Sequence, residues 1–260
     1  MRRLLLFLTL LFCLVAASAW ATDLGTLYAI NDSDNSLYAI NPNTYTATYI
    51  GSTGVGSGDF GDLAYNPNSN TAYWVPGRGN DNLYTINLQT GAATLIGSHG
   101  VDDMFALGFD TATNTLYGET INGNFYSLST SNGTATLIGS NGLYGGGMTY
   151  RPDTDQLVLL AAASGQFWSI NPTNGLATYL GGSGFVNNTG LAWDPTLAEF
   201  FAGDWSSNLY TADPNTYMLT KVADLPGPFD GMIYVTPEPG TILLIGSGIL
   251  GLATRLRRKL

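Results

Sequence analysis

An all-β fold, a five-bladed β-propeller, is the class the sequence predicts, and three observations predict it. One strand-like pattern recurs five times at nearly even spacing. A second pattern interleaves with the first over the same stretch. The two ends of the repeat region hold complementary fragments of one further unit.

The first pattern starts at Leu37 as Leu-Tyr-Ala-Ile-Asn-Pro and returns at Leu83, Phe125, Phe167 and Leu209, 42 to 46 residues apart. Each copy is followed by a second run such as Thr90-Gly-Ala-Ala-Thr-Leu-Ile-Gly97 or Asn132-Gly-Thr-Ala-Thr-Leu-Ile-Gly139. The interleaved pattern is Leu63-Ala-Tyr, Leu107-Gly-Phe, Met148-Thr-Tyr, Leu191-Ala-Trp and Met232-Ile-Tyr. The first four copies end in a turn dipeptide and lead to a strand such as Thr115-Leu-Tyr-Gly118. These runs are rich in Tyr, Thr, Ile and Leu and are bounded by Gly, Asn, Asp and Pro, the chemistry of short strands and tight turns. Four strands per 40 to 45 residues is the period of a propeller blade, whereas β-helices and open solenoids have shorter coils.

Naming the strands c (near Leu63), d (near Thr71), a (Leu83) and b (Ala93), the order c-d-a-b runs four times between Asp62 and Asp224. Thr26-Leu-Tyr-Ala-Ile30 reads as d, an a-b pair follows at residues 37–51, and a lone c stands at Gly231–Val235. Together they make a fifth blade, so a 3+1 closure joins the ends and removes free sheet edges. The c strand, short, apolar and flanked by Gly, is assigned to the crowded channel side.

Outside the repeats the ends differ in kind. Met1-Arg-Arg, an apolar run from Leu4 to Ala17 and Ala19-Trp20-Ala21 read as a secretory signal peptide over residues 1–21. The single cysteine, Cys13, lies inside that run behind Leu11-Phe12, which argues against lipidation and leaves the mature chain without disulfide or thiol chemistry. The repeat domain is assigned to residues 22–235. Residues 22–236 hold 18 acids against three bases, Arg78, Arg151 and Lys221. That excess excludes nucleic acid as a partner, because phosphate binding needs clustered Lys and Arg. It suits solubility or attraction of divalent cations.

Catalytic chemistry finds little material. His99, the one histidine, occupies a variable turn slot and reads as a solvated loop residue. No Ser-His-Asp triad can be assembled without it, and no catalytic residue is assigned. Asp59, Asp62, Asp102, Asp103 and Asp230 precede c strands and would gather around one mouth of the ring. Carboxylates there suit Ca²⁺ or sugar hydroxyls, while ordinary turn chemistry, which uses the same residue types, is the favoured explanation. No cofactor is otherwise indicated. Asn31-Asp-Ser-Asp-Asn-Ser36 lacks the sixth-position Gly and distal Glu of a calcium loop and reads as a hairpin turn. Tyr144, Phe185, Trp205 and Phe229 are the aromatic candidates for a stacking surface, with blade packing as their alternative role.

The tail, residues 236–260, contains Gly246, Gly248 and Gly251 in the spacing of a dinucleotide loop. Nine residues follow Gly251, and none is acidic, so the fingerprint has no ribose partner. The glycines sit instead within an apolar stretch, Thr241–Thr254, closed by basic residues, which reads as a single membrane helix with a cytoplasmic anchor. Pro237-Glu238-Pro239, that apolar segment, and Arg255, Arg257 and Arg258 resemble, in order, the PEP-CTERM sorting domain of Gram-negative bacteria. The resemblance implies processing near the Pro-Glu-Pro by exosortase, a membrane enzyme, and an association with extracellular polysaccharide.

The expected protein is therefore exported, anchored in the membrane as a precursor and then placed at the cell surface or outside. Its expected role is noncatalytic binding of a glycan or protein through the ring face. The competing class is a metal-dependent propeller enzyme of lactonase or lyase type, which would need Asp62, Asp103 and Asp230 to converge on a metal. A purely structural coat protein is the third class.

Overall fold

A computed structural model describes residues 25–56, 60–182 and 187–236. The signal-peptide and C-terminal-helix assignments lie outside these residues. The described chain forms five four-stranded antiparallel sheets. The first blade combines β1 (Thr26–Asn31), β2 (Ser36–Ile40) and β3 (Ala47–Ser52) with β20 (Phe229–Val235). The second holds β4 (Asp62–Asn66), β5 (Thr71–Val75), β6 (Asn82–Ile86) and β7 (Ala93–Ser98). The third holds β8 (Met104–Asp110), β9 (Thr115–Thr120), β10 (Asn124–Leu128) and β11 (Ala135–Ser140). The fourth holds β12 (Gly145–Arg151), β13 (Gln156–Ala161), β14 (Gln166–Ile170) and β15 (Ala177–Gly182). The fifth holds β16 (Asn188–Asp194), β17 (Glu199–Asp204), β18 (Asn208–Ala212) and β19 (Leu219–Asp224). The predicted five-bladed propeller is thus the observed fold. Its 3+1 closure is the β1–β20 ladder, which pairs Leu27 with Tyr234 and Ala29 with Met232.

Each junction between neighbouring blades encloses one apolar cluster, five in all. Ile30 and Leu37 of the first blade meet Leu63 and Trp74 of the second. Phe201 and Leu209 of the fifth meet Phe229 and Met232 of the first, so the ring is closed by core packing as well as by the ladder. Burying a large apolar side chain is worth about 1.5–3 kcal/mol, and the repeated Leu, Phe and Tyr positions supply one such set per junction.

The recurring Ile-Gly and Thr-Gly or Asn-Gly steps of the sequence explain how closely the blades approach. A Cβ added to Gly51 in β3 would lie 2.1 Å from the Thr90 carbonyl oxygen of the next blade. That oxygen precedes Gly91, whose φ of 80° is one that L side chains rarely adopt. The same pairing returns between Gly97 and Gly133, and between Gly139 and Gly175. The outer strands carry exposed Tyr49, Leu95, Leu137 and Tyr179. A register shift in every a–b pair bends those outer strands, which blunts them as templates for further pairing.

The c strands are innermost, and one side chain fills their centre. The residues before Leu63, Leu107, Met148, Leu191 and Met232 are Asp62, Ala106, Gly147, Gly190 and Gly231. There is no room for more. A Cβ on Gly147 would come within 2.6 Å of the Leu191 nitrogen, and one on Gly231 within 2.6 Å of the Leu63 nitrogen. The Asp62 carboxylate, wholly buried, accepts N–H bonds from Leu63 at 2.8 Å, Leu107 at 2.7 Å and Met148 at 3.0 Å. The Met232 N–H is a fourth donor. Three blades besides its own are therefore tied to one carboxylate. Burial pushes its pKa well above the usual carboxylate value, and the four donors oppose that rise by stabilising the ionised form.

Replacing Asp62 tests this centre. Asp62→Ala orphans buried N–H groups, each costing about 1–3 kcal/mol, so it is expected to lower stability by roughly 3 kcal/mol or more. Asp62→Asn keeps one acceptor oxygen and should fall between the alanine variant and the wild type. Urea denaturation followed by tryptophan fluorescence measures the order, and an alanine variant as stable as the wild type would remove the central role of this residue.

Candidate ligand-binding cleft

Strand direction places the b–c loops and the d–a turns at the same mouth of the ring. There they enclose a cleft of about 430 Å³ lined by Phe60, Phe105, Tyr144, Gly145, Gly146, Ala162, Ala163, Asn187 and Trp205. Phe60, just before β4, is its hub. The Phe60 ring stacks on Phe105 at 5.1 Å and 15°, and meets Trp205 at 4.0 Å and 38°. Tyr144 stands edge-on to Phe105 at 6.1 Å. The Arg78 guanidinium lies 4.8 Å from the Phe60 ring centre and 5.4 Å from that of Phe105. Its Nε donates to Asp103 Oδ1 at 3.3 Å.

The backbone at Phe60 is strained to hold this position. Its φ of 65° is costly for a bulky side chain. Two carboxylates compensate, since the Phe60 N–H reaches Asp230 Oδ2 at 2.7 Å and Asp32 Oδ1 at 3.2 Å. Burial, reinforced by the neighbouring Asp32, pushes the Asp230 carboxyl well above the ordinary carboxylate range.

The acids singled out from the sequence therefore take separate places. Asp62 is in the channel bound to backbone, Asp230 holds Phe60, and Asp103 pairs with Arg78. Asp102 is exposed on the adjoining turn, and Asp59 lies outside the described residues. Among the described residues no three His, Cys, Asp or Glu side chains are grouped to hold a metal ion. Asn31–Ser36 is the β1–β2 turn, in which Asn31 Oδ1 and Asp34 Oδ1 accept backbone N–H groups. Of the aromatic candidates, Tyr144 and Trp205 line the cleft and Phe185 lies outside the described residues. Phe229 takes the blade-packing role instead: it is fully buried and meets Tyr38 edge-on at 5.1 Å.

His99 also departs from its expected solvated state. It is 5% exposed, and its Nδ1 accepts the Val101 N–H at 3.3 Å. Burial lowers its pKa to about 4, so the ring is neutral. Phe60, Phe105 and Arg78 were not singled out from the sequence. The charge count did mark Arg78 as one of three bases, and the structure gives the other two different partners. Arg151 is buried over Trp193 and paired with Asp153, and Lys221 is paired with Asp224.

Glu119 in β9 lies beneath the cleft lining, where its Oε1 is 3.7 Å from the position a Cβ on Gly145 would take. Asn141 Nδ2 donates to its Oε2 at 2.8 Å. Burial raises its pKa from 4.5 to about 7. The folded carboxyl thus holds its proton more tightly than the unfolded one. Its contribution favours folding most below pH 4.5 and is lost as pH rises through about 7. Glu119→Gln is expected to match the wild type at acid pH and to exceed it by about 3 kcal/mol above pH 8, an upper figure from the size of the shift. Thermal melts of both proteins across this range measure the difference, and parallel curves would contradict it.

Comparison with known proteins adds two matches along the sequence. Residues 15–108 match a family described only as a domain of unknown function, DUF4394. Residues 235–259 match the PEP-CTERM protein-sorting motif. No curated protein matches the chain. Among solved structures, a structural genomics protein of unknown function from Bacteroides thetaiotaomicron VPI-5482 is similar at TM-score 0.58 and 18% identity. The match covers 80% of this chain and 61% of that one, so the chain spans about three-fifths of its length. A chain of the nidogen/laminin complex is similar at TM-score 0.56 and 14% identity, with 82% and 81% of the two chains covered. Both likenesses concern the fold. The sorting residues Pro237, Glu238, Pro239, Arg255, Arg257 and Arg258 lie outside the described residues and inside the matched motif, which implies processing by exosortase, a membrane enzyme. Among the described residues no helix is long and apolar enough to cross a membrane. The chain carries a PEP-CTERM protein-sorting motif at residues 235–259, downstream of a five-bladed β-propeller.

Proposed function

We propose that this is an exported, noncatalytic propeller of the cell surface or extracellular matrix that binds a glycan through the aromatic cleft and is cleaved at its C-terminal sorting motif. One observation carries the binding assignment: four aromatic rings and one guanidinium converge at a single mouth, around a Phe60 held in a strained backbone conformation. Positive φ recurs beside Phe60 at Asp103 and at Asn187, which also lines the cleft, so left-handed turns before the inner strands shape this mouth. Aromatic faces and a few polar groups in a concave site suit a sugar ring, which offers C–H faces for stacking and hydroxyls for hydrogen bonds. The nearby carboxylates support a binding role, since Asp62, Asp103 and Asp230 each serve a backbone or guanidinium partner.

Two measurements test the proposal. Intact masses of cell fractions are expected to show the secreted protein lacking the residues beyond about 236, while Glu238→Ala stays full-length in the membrane. Retention of the tail by both would contradict cleavage. In cosedimentation with extracellular polysaccharide from the producing cells, the wild type is expected to pellet with the polymer. Trp205→Ala should weaken that binding about tenfold, the loss expected for one stacking contact. Unchanged binding by the variant would remove the cleft from recognition.

A further inference from the structure

We infer that the cleft selects uncharged pyranose units, with the Arg78–Asp103 pair reading their hydroxyl groups. The inference rests on the glycan reading above and assigns its ligand class.

Charge distinguishes an uncharged sugar chain from a uronate-bearing one. Residues 22–236 carry a formal charge of −15, from three bases and 18 acids. A polyanion approaching such a surface is repelled, and a cleft for one would need unpaired cations. Arg78 lies over Phe60 and Phe105, two of the rings that line the cleft, and so stands at its border, where Asp103 offsets its charge at 3.3 Å. Arg151 and Lys221 are engaged by Asp153 and Asp224. The border of the cleft therefore carries a guanidinium–carboxylate pair of no net charge.

Such a pair is suited to hydroxyl groups. A guanidinium carries five N–H donors in a fixed plane, and a carboxylate is acceptor-only. The Arg78 Nε is used by Asp103, and the Nη groups at the far end of the fork are the donors available to a ligand among the described residues. Asp103 Oδ1 accepts that bond, which leaves its other oxygen as an acceptor beside those donors. A hydroxyl both donates and accepts, so neighbouring hydroxyls on one ring can satisfy both groups. The rings divide the work of stacking. Arg78 already covers Phe60 and Phe105, whereas Trp205 is half-buried and Tyr144 is 37% exposed. Trp205 and Tyr144 are thus the aromatic surfaces left for a sugar. The volume of about 430 Å³ falls in the range of small-ligand sites.

The test is calorimetric titration of the full chain with a panel of short oligosaccharides at low and at physiological ionic strength. Cello-, manno- and N-acetylchito-oligosaccharides form the uncharged arm, and oligoalginate and oligogalacturonate the uronate arm. At least one uncharged probe is expected to bind with an affinity that salt leaves unchanged. Arg78→Met keeps the stem over the rings but removes the donors, and it should weaken that probe about tenfold, as for loss of hydrogen bonds to a charged group. Its melting temperature should stay near that of the wild type, because Arg78 is exposed. Preference for the uronate arm, weakened by salt and abolished in Arg78→Met, would overturn this inference and leave glycan binding standing. Uncharged binding unaffected by Arg78→Met would remove the pair from recognition. Binding of no probe by protein with a normal melt would overturn both the ligand class and the glycan reading.

Discussion

The propeller depends on how five inner strands can meet at one axis. Four of their backbone N–H groups converge on one point, in a space too narrow for five side chains. Asp62 answers this with a single carboxylate, whose two oxygens offer about four acceptor positions. The neighbouring blades present Ala106, Gly147, Gly190 and Gly231 at the corresponding places, so nothing competes for the space. The arrangement is asymmetric by necessity. Were every blade to carry Asp, the carboxylates would clash and repel; were none to, buried donors would be orphaned. Near-identical repeats therefore require one unequal residue at the centre.

The same logic accounts for much of the acidic excess. Asp110, Asp194 and Asp213 each accept the N–H two residues on, closing a turn, as Asn66, Asn87 and Asn171 do elsewhere. Asp204 caps the β17–β18 turn and also accepts the Tyr210 hydroxyl at 2.8 Å. Carboxylates that look available in a composition are bound to backbone in the fold. Their charge remains, however, and sets the field that an incoming ligand meets.

Blade number, strand order and closure were legible in the sequence because each blade has the same neighbours. Equivalent residues then solve equivalent problems, as the paired glycines at 51 and 91, 97 and 133, and 139 and 175 show. Repetition did not mark Tyr144 and Trp205, which were candidates simply as aromatics between strands. It failed where a residue's surroundings come from non-equivalent loops. His99 sits in a turn whose counterparts are polar, yet neighbouring segments cover it. Phe229 looks like a free loop aromatic until the first and fifth blades close around it. Phe60 has no periodic signature, and its place depends on a left-handed backbone and on carboxylates 28 and 170 residues away. The cleft was thus half visible, in Tyr144 and Trp205, whose aromatic character can be read without knowing their distant neighbours.

Those two carboxylates connect the site to the closure of the ring. Asp32 follows β1 and Asp230 lies in β20, so Phe60 is held by both halves of the composite blade. A chain in which β20 has not paired with β1 lacks the shorter of the two bonds, and the strained turn at Phe60 loses its compensation. Trp205, Phe105 and Arg78 would then lose the ring against which they pack. Ring closure and cleft formation are on this geometry one event, and β20, the last of the described strands, completes a cleft assembled largely from earlier ones. That strand ends at Val235, where the sorting motif begins. The strand that closes the propeller thus runs directly into the sorting motif. Occupancy of the cleft would therefore stabilise the β1–β20 ladder by mass action, tying ligand binding to retention of the C-terminal strand.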